Sequence, residues 1–436
     1  MPPPDSRPNA DGPSGSTQPA SARAGSFYGW RIVGGAFVIC LVSGGLFSTA
    51  TVFLKAFTEE FGWSRGQVSG AFSLGIVVAG LATPFWGRIA DRRGPRSSFI
   101  PAALITGTLC LLLSRLSGIT TLYVLYAVFA FGSAGIYFVP ISVLLSRWFV
   151  EMRGRAIGIA YTGEGFGILL FAPAAGVLVT TIGWRGSYIL AGAVVLGVIV
   201  PVACWIKNRP ADLGLLPDGS DPEPVESRWS QQEASHVEAG LSLRSTLATS
   251  AFRILAVNWV FTTMAILAIG LHQVPLLTDL GISTEAASLA AGTVGGLGIL
   301  GRLGFGLLAE RYSTVWLFVV CYLLCAVGVA LLWATASLGS VGLVLYAAVF
   351  GIAAGGAWAL SPLLIGELFG VVALGEIFGI LGIAATLGGA AGGVGAGILF
   401  DLTGNYDLVL ALCIALFAIG ALLMLFVRAP RSTHTP

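Results

Sequence analysis

Runs of about 20 apolar residues, the length that carries a helix across a ~30 Å hydrocarbon core, recur twelve times along this chain and constrain its fold more than any other feature. They fall near 30 to 54, 66 to 87, 98 to 114, 121 to 146, 155 to 180, 186 to 206, 252 to 277, 285 to 308, 314 to 335, 341 to 365, 376 to 399 and 407 to 427. In hydrocarbon every backbone N–H and C=O must find its partner within the segment, so each run is expected to be a helix. Of the 436 residues 56% are hydrophobic and only 10% charged, with a mean hydropathy of +0.88, which excludes an ordinary soluble domain.

Basic residues fall unevenly between the spans. One side carries Arg88, Arg92, Arg93, Arg96, Arg147, Arg153, Arg155, Lys207, Arg209, Arg244, Arg253, Arg311, Arg428 and Arg431, while the other has Lys55, Arg65, Arg115 and Arg185. The positive-inside rule makes the first side, with both termini, cytoplasmic, so a multi-pass protein of the inner (plasma) membrane is expected. Residues 1–25, rich in Pro, Ser, Gly and Ala, lack the basic and apolar regions of a signal peptide and read as a disordered tail; 429–436 form a second tail.

The only long hydrophilic stretch in the body of the chain, 207–250, holds Pro210, Pro217, Pro222, Pro224 and a mixed polar run from Ser227 to His236. It reads as a flexible cytoplasmic linker between a bundle at 26–206 and another at 251–428. A shift of 219 residues lays Gly62-Trp63-Ser64 on Gly281-Ile282-Ser283 and Gly87-Arg88-Ile89-Ala90-Asp91-Arg92 on Gly306-Leu307-Leu308-Ala309-Glu310-Arg311 without a gap. Two repeated halves suit a transporter whose substrate binds between them; a channel or membrane enzyme has no need of the arrangement.

Several classes drop out. The net charge of +2 and the lack of a basic run interleaved with aromatics argue against nucleic acid. The six cysteines lie in apolar runs and imply neither disulfide nor metal. No nucleotide-binding loop, metal cluster or Ser/His/Asp arrangement is apparent, so neither an enzyme, an ATP-driven pump nor a cofactor is expected. The expected partners are the lipid bilayer, protons and a small organic anion, bound by a monomer.

Within the spans, Arg302 is the costliest residue. It lies in the glycine-dense segment Gly292 to Tyr312, and an arginine near a helix centre costs roughly 2.5–3.5 kcal/mol unless it faces a water-filled cavity. Snorkelling about 9 Å to the headgroups is the other reading, but Gly298 and Gly306, four residues away on either side, make a small-residue face suited to a cavity. A guanidinium offers a planar fork to a carboxylate. No second cation lies in the spans of the C-terminal half, which suits a monoanion.

Glu164 is the one carboxylate well inside a span, about nine residues or ~14 Å from the cytoplasmic end, a depth close to that of Arg302. Burial favours a neutral carboxyl and a nearby cation a charged one, so Glu164 is a candidate to carry or gate a coupling proton, pairing with Arg302 when the site is empty. A structural carboxylate hydrogen-bonded to its surroundings is the alternative. His272, toward the extracellular end of the seventh span, suits a gate or proton entry because imidazole titrates near physiological pH; a helix-end histidine satisfied by water and carbonyls is equally compatible. Tyr137 can donate to a carboxylate, and Trp358 and Phe47 could wall the apolar side of a small acid, although membrane aromatics commonly serve packing.

Between the second and third spans, Gly87-Arg88-Ile89-Ala90-Asp91-Arg92-Arg93-Gly94-Pro95-Arg96 resembles the loop signature G-x-x-x-D-R-x-G-x-R of the major facilitator superfamily, with a weaker copy at Gly306 to Arg311. The resemblance implies twelve transmembrane helices in two pseudo-symmetric six-helix bundles. It also implies a conformational latch of Gly87, Asp91, Arg92, Gly94, Arg96, Glu310 and Arg311, in which Asp91 can face a neighbouring helix N-terminus. Tyr28-Gly29-Trp30-Arg31-Ile32-Val33 and the stretch from Arg147-Trp148-Phe149-Val150 to Gly154-Arg155-Ala156-Ile157-Gly158-Ile159-Ala160 are similar to motifs of monocarboxylate transporters and their bacterial relatives.

Arg302 matches that family's eighth-span arginine, which the resemblance implies binds the substrate carboxylate. Two positions depart from the proton-coupled animal members. Gly298 stands where they have an acid, and Ser48 where their first span has a lysine, which makes Ser48 a substrate-site candidate. The expected activity is secondary transport of a lactate- or pyruvate-like monocarboxylate by alternating access with proton symport. A carboxylate exchanger of oxalate or formate type, or an exporter of an unrelated organic molecule, is the alternative.

Overall fold

The computed structural model of the protein describes residues 27–63, 65–219 and 241–428. The tails at 1–25 and 429–436 and the polar run from Ser227 to His236 lie outside the described residues. Among the described residues the elements are helical throughout, with no strand.

Helix α1 is Tyr28–Ser48, continued as Ala50–Phe61 after a break at Thr49, and α2 is Arg65–Arg93. Helix α3 is Arg96–Leu113, and α4 is split into Ile119–Ala134 and Phe138–Trp148. The run Arg153–Val194 holds two spans joined at Gly183, where φ 74 and ψ 167 interrupt the helix; α5 precedes that residue. Helix α6 follows it and passes through a π-turn at Val195–Ile199 to end with Val200–Trp205. The second half comprises α7 (Ser250–Asp279), α8 (Thr284–Leu308), α9 (Thr314–Leu338), α10 (Ser340–Phe369), α11 (Leu374–Thr403) and α12 (Asp407–Leu425).

Eleven helices among the described residues are long and apolar enough to cross a membrane on composition alone. The twelfth expected run, 155 to 180, is helical as well, within Arg153–Val194. Two expectations of unbroken helix need correction. The run 121 to 146 is interrupted at 135–137, and the first span breaks at Thr49 before continuing to Phe61.

Each bundle packs chiefly within itself. Helix α1 lies along α5, and α2 against α4; in the other half α8 lies along α10 and α7 along α11. Glycine makes the closest of these approaches. A Cβ at Gly163 or Gly167 would strike the carbonyls of Phe37 or Leu41 on α1, and one at Gly301 would strike Ile352 on α10. Without a hydrophobic drive between helices in lipid, such close backbone contact supplies much of the packing attraction. The halves meet through α2 with α11 and α5 with α8.

The linker was expected to be flexible from 207 onward, yet its described beginning folds back onto the N-terminal bundle. The Asp218 carboxylate accepts the backbone N–H groups of Val150, Glu151 and Met152 at 2.9, 2.9 and 3.2 Å. Those amides precede α5 and have no acceptor inside a helix, so a carboxylate there satisfies them as an N-cap does.

Candidate functional site

Glu164 on α5 and Arg302 on α8 meet at the junction of the two bundles. Glu164 is 7% exposed and Arg302 9%, and they form an ion pair through Oε2 and Nη2. The other carboxylate oxygen, Oε1, accepts the hydroxyl of Tyr137 on α4. Three residues distant in sequence thus form one chain, in which Glu164 is held from both sides. Gly44 of α1 packs directly on Glu164, leaving no room for a Cβ, and Gly165 presents a bare backbone to Arg302 and Ile299.

The guanidinium is only partly engaged. Its Nε is buried and has no hydrogen-bond partner. An unsatisfied buried donor costs about 1–3 kcal/mol, so this edge of Arg302 is a place where an acceptor would be gained.

Tyr137 reaches Glu164 because α4 unwinds. It is the residue that precedes Phe138–Trp148, with an extended backbone at φ −109 and ψ −158. Beside it, Phe138 stacks on Tyr137 and Tyr161 with ring centroids 4.2 and 4.3 Å away and lies 6.0 Å from Trp358 of α10. Trp358 is half-buried and is linked to the ion pair through Phe138 and Tyr137. It also lines a small cavity of about 30 Å³ with Trp259, Thr262, Tyr322 and Ser361.

Phe47 and Ser48 are not drawn into the chain of contacts. Phe47 is 66% exposed, one helical turn outward of Gly44 and on a neighbouring face. The Ser48 hydroxyl donates to its own helix at Gly45 O, 2.7 Å away. His272 stands apart as well, within the second half. Its Nε2 faces the Gly393 carbonyl at 3.1 Å and its Nδ1 faces the Tyr406 hydroxyl at 3.1 Å. A carbonyl only accepts, so Nε2 carries the proton and, in the neutral ring, Nδ1 accepts from Tyr406.

The arginine-rich side holds a second constellation. Asp91 at the end of α2 accepts the N–H groups of Gly375 and Glu376 in the first turn of α11, at 3.0 and 2.9 Å. Glu310, just after α8, accepts the Arg155 N–H in the first turn of α5 at 3.1 Å and its guanidinium at 2.9 Å. These are the positions that the 219-residue shift superposes, and each sets a carboxylate at the positive end of a helix from the other bundle. Arg88 pairs with Glu376, and Arg147 donates to the carbonyls of Ala90 and Asp91 at 3.2 and 2.6 Å.

Gly94 takes φ 90, the left-handed turn that glycine adopts without penalty, and the Arg96 N–H next to it donates to Asn208 Oδ1 at 3.0 Å. Arg92 and Arg311 are exposed. Gly87 lies against the Gly375 carbonyl and Gly154 against that of Gly306, so any side chain at these points would collide across the junction. Gly87→Leu and Gly154→Leu are therefore expected to force the arginine-rich ends apart. Overpacking of about 1–3 kcal/mol corresponds to a roughly 5- to 150-fold shift in population. Spin labels at Arg92 and Arg311 would report it as a longer distance distribution, and an unchanged distribution in both variants would refute it.

Sequence reading missed several polar residues here. Glu376 registers only as the start of a span. Asn258 and Gln273 are buried on α7, where Asn258 accepts from Tyr322 at 3.0 Å and donates to Gly420 O at 2.7 Å, and Gln273 accepts from Tyr346 at 2.7 Å. An amide inside an apolar run is a signal that could have marked both. Ser43 and Ser98 carry no such signal, since small hydroxyls are common in membrane helices.

The sequence profile of the Major Facilitator Superfamily matches residues 35–272 and 254–436. Monocarboxylate transporter 13 of Bos taurus is 27% identical over 87% of this chain and 84% of its own length. Monocarboxylate transporter 12 of Mus musculus is 25% identical over 92% of this chain and 85% of its own length. The structure of the proton:xylose symporter XylE bound to 6-bromo-6-deoxy-D-glucose superposes with a TM-score of 0.70 at 14% identity, covering 92% of this chain and 97% of that one, a likeness of fold alone. With two six-helix bundles, a repeated carboxylate contact between them and a profile match along most of its length, the chain is a transporter that belongs to the major facilitator superfamily and resembles its monocarboxylate transporters.

Proposed function

We propose that this protein moves a small monocarboxylate of the lactate or pyruvate type across the cytoplasmic membrane by alternating access, together with a proton. The observation that carries the reading is the half-used Arg302, bound to Glu164 through Nη2 while its buried Nε lacks a partner. A substrate carboxylate could take Nε and Nη2 together as a parallel fork, provided Glu164 lets go. An ionised Glu164 released into low dielectric would be left uncompensated, so it leaves as the neutral acid.

The charges then balance through the cycle. The empty site holds one guanidinium and one carboxylate. The loaded site holds the guanidinium, the substrate carboxylate and a protonated Glu164. Both sum to zero, so neither reorientation carries net charge across the membrane potential. Because the empty site is neutralised internally, the carrier can return unloaded, which favours net symport over obligatory exchange. The names of the monocarboxylate transporters with which this chain aligns support the same substrate class.

The remaining residues take their roles around that exchange. Tyr137 steadies Glu164, while Trp358 walls the apolar part of a small acid. His272, tied to Tyr406 and Gly393 in the half opposite the arginines, suits a gate at which protons enter. Asp91 and Glu310, with Gly87, Gly94, Arg92, Arg96 and Arg311 around them, form the latch that holds the cytoplasmic side closed.

The deciding measurement is uptake of labelled lactate and pyruvate into liposomes under an imposed inward proton gradient. Gradient-driven accumulation is the expected result. Preferential transport of oxalate or succinate would overturn the monoanion assignment, and countertransport indifferent to the gradient would identify an exchanger.

A further inference from the structure

The unwound turn in α4 is fastened by its neighbours. Where the first half-helix ends, the Trp86 indole of α2 donates to the Phe131 carbonyl at 2.7 Å. The Gly132 and Ser133 carbonyls accept the N–H groups of Gly135 and Ile136 at 2.9 and 3.1 Å. The Gly135 and Ile136 carbonyls are met by hydroxyls from two other helices. Ser98 of α3 donates to Gly135 O, and Ser43 of α1 to Ile136 O, each at 2.9 Å. Both serines are buried, at 7% exposure for Ser43 and 0% for Ser98.

Irregular backbone inside a membrane survives only where its polar groups are answered, and here the answer comes from outside the helix. The 219-residue shift takes the turn 135–137 onto 354–356 of α10, which runs unbroken from Ser340 to Phe369. The break therefore does not follow from the repeat. What it adds is Tyr137, whose hydroxyl donates to Glu164 while Glu164 holds Arg302.

We propose that Ser43 and Ser98 are positioning residues for the substrate: by holding the carbonyls of Ile136 and Gly135 they set the unwound turn of α4, and with it the place of the Tyr137 hydroxyl on Glu164. This rests on the reading of Tyr137, Glu164 and Arg302 as the substrate site. Neither serine touches the substrate. Without them the turn loses its anchors, Tyr137 slackens its grip on Glu164, and the arrangement that receives a carboxylate loosens, while the helices that rock are unchanged.

The test compares Ser43→Ala and Ser98→Ala with Tyr137→Phe and with Thr106→Val. Thr106 is equally buried on α3 and packs against Gly132, but its hydroxyl donates to Ala102 of its own helix at 2.8 Å, so Thr106→Val removes a buried hydroxyl without removing a hydrogen bond to the turn. Tyrosine labelled with ¹³C at Cζ gives a resonance for each of the ten tyrosines, and that of Tyr137 is assigned by its loss in Tyr137→Phe. Both serine variants are expected to move this resonance toward that of a phenol in water and to raise the apparent KM for the transported acid about five- to tenfold, with the maximal rate within about twofold. Thr106→Val is expected to do neither.

An unmoved Tyr137 resonance in both serine variants overturns the proposal and leaves the substrate site standing. Equal effects from Thr106→Val overturn it in favour of general loosening of the bundle. Wild-type uptake by Tyr137→Phe would bring down the reading of the site itself, and this inference with it.

Discussion

Arg302→Ala is expected to lower kcat/KM for the transported acid by at least about 100-fold, because two charge-assisted hydrogen bonds of about 1.5–3 kcal/mol each are lost with the fork. Arg302→Lys keeps the charge but not the planar pair of donors, and should recover only part of the rate. The same substitution to alanine strands Glu164, which is 7% exposed, without its cation. Breaking a buried pair from one side costs about 3–5 kcal/mol, so Arg302→Ala should also lower the unfolding temperature in detergent. Uptake and thermal stability measured on one preparation check both effects. Wild-type uptake by Arg302→Ala would remove the arginine from the substrate site.

Glu164→Gln is expected to separate transport from the proton gradient. The amide stays neutral whether or not Arg302 is occupied, so no proton enters or leaves with the substrate. Accumulation driven by an inward proton gradient should fall to the equilibrated level, while exchange of labelled for unlabelled acid stays within about threefold of wild type. Uptake at several gradients beside counterflow without one separates these outcomes, and gradient-driven accumulation by Glu164→Gln would exclude Glu164 as the proton carrier. The pair also couples in stability. Adding Glu164→Gln to Arg302→Ala removes the stranded charge, so the double variant should be more stable than Arg302→Ala alone, a departure from additivity that two independent residues would not show.

Part of this site is legible without coordinates. A rise of 1.5 Å per residue sets Glu164 and Arg302 at similar depth, and the cost of a charge in an apolar run marks both as functional. The loops that reach across the junction are legible through the repeat, which aligns Asp91 with Glu310. Their targets are less so: the helix starts at Gly375 and Arg155 come from the opposite bundles, and Glu376, the partner of Arg88, offers no local sign of that contact. The break in α4 is not legible at all. Gly135 to Tyr137 read as ordinary helix, and the serines that let the chain unwind there lie 93 and 37 positions away from the carbonyls they meet.

By itself, then, the sequence determines the apolar runs, their helical state and the side on which the arginines gather. All of these rest on local quantities: the length of an apolar run, the saturation of backbone hydrogen bonds within it, and the charge of its flanks. Only the tertiary structure decides which face of each helix meets which. In water a helix advertises its buried side as an apolar stripe, but lipid is as apolar as a protein interior, so most of these helices show residues of one kind all round and their rotation cannot be read. The ion pair between Glu164 and Arg302 joins residues 138 positions apart, through glycines that admit the close approach of α1 to α5 and α5 to α8. That rotation is what turns two costly charges at matching depth into a single neutral site.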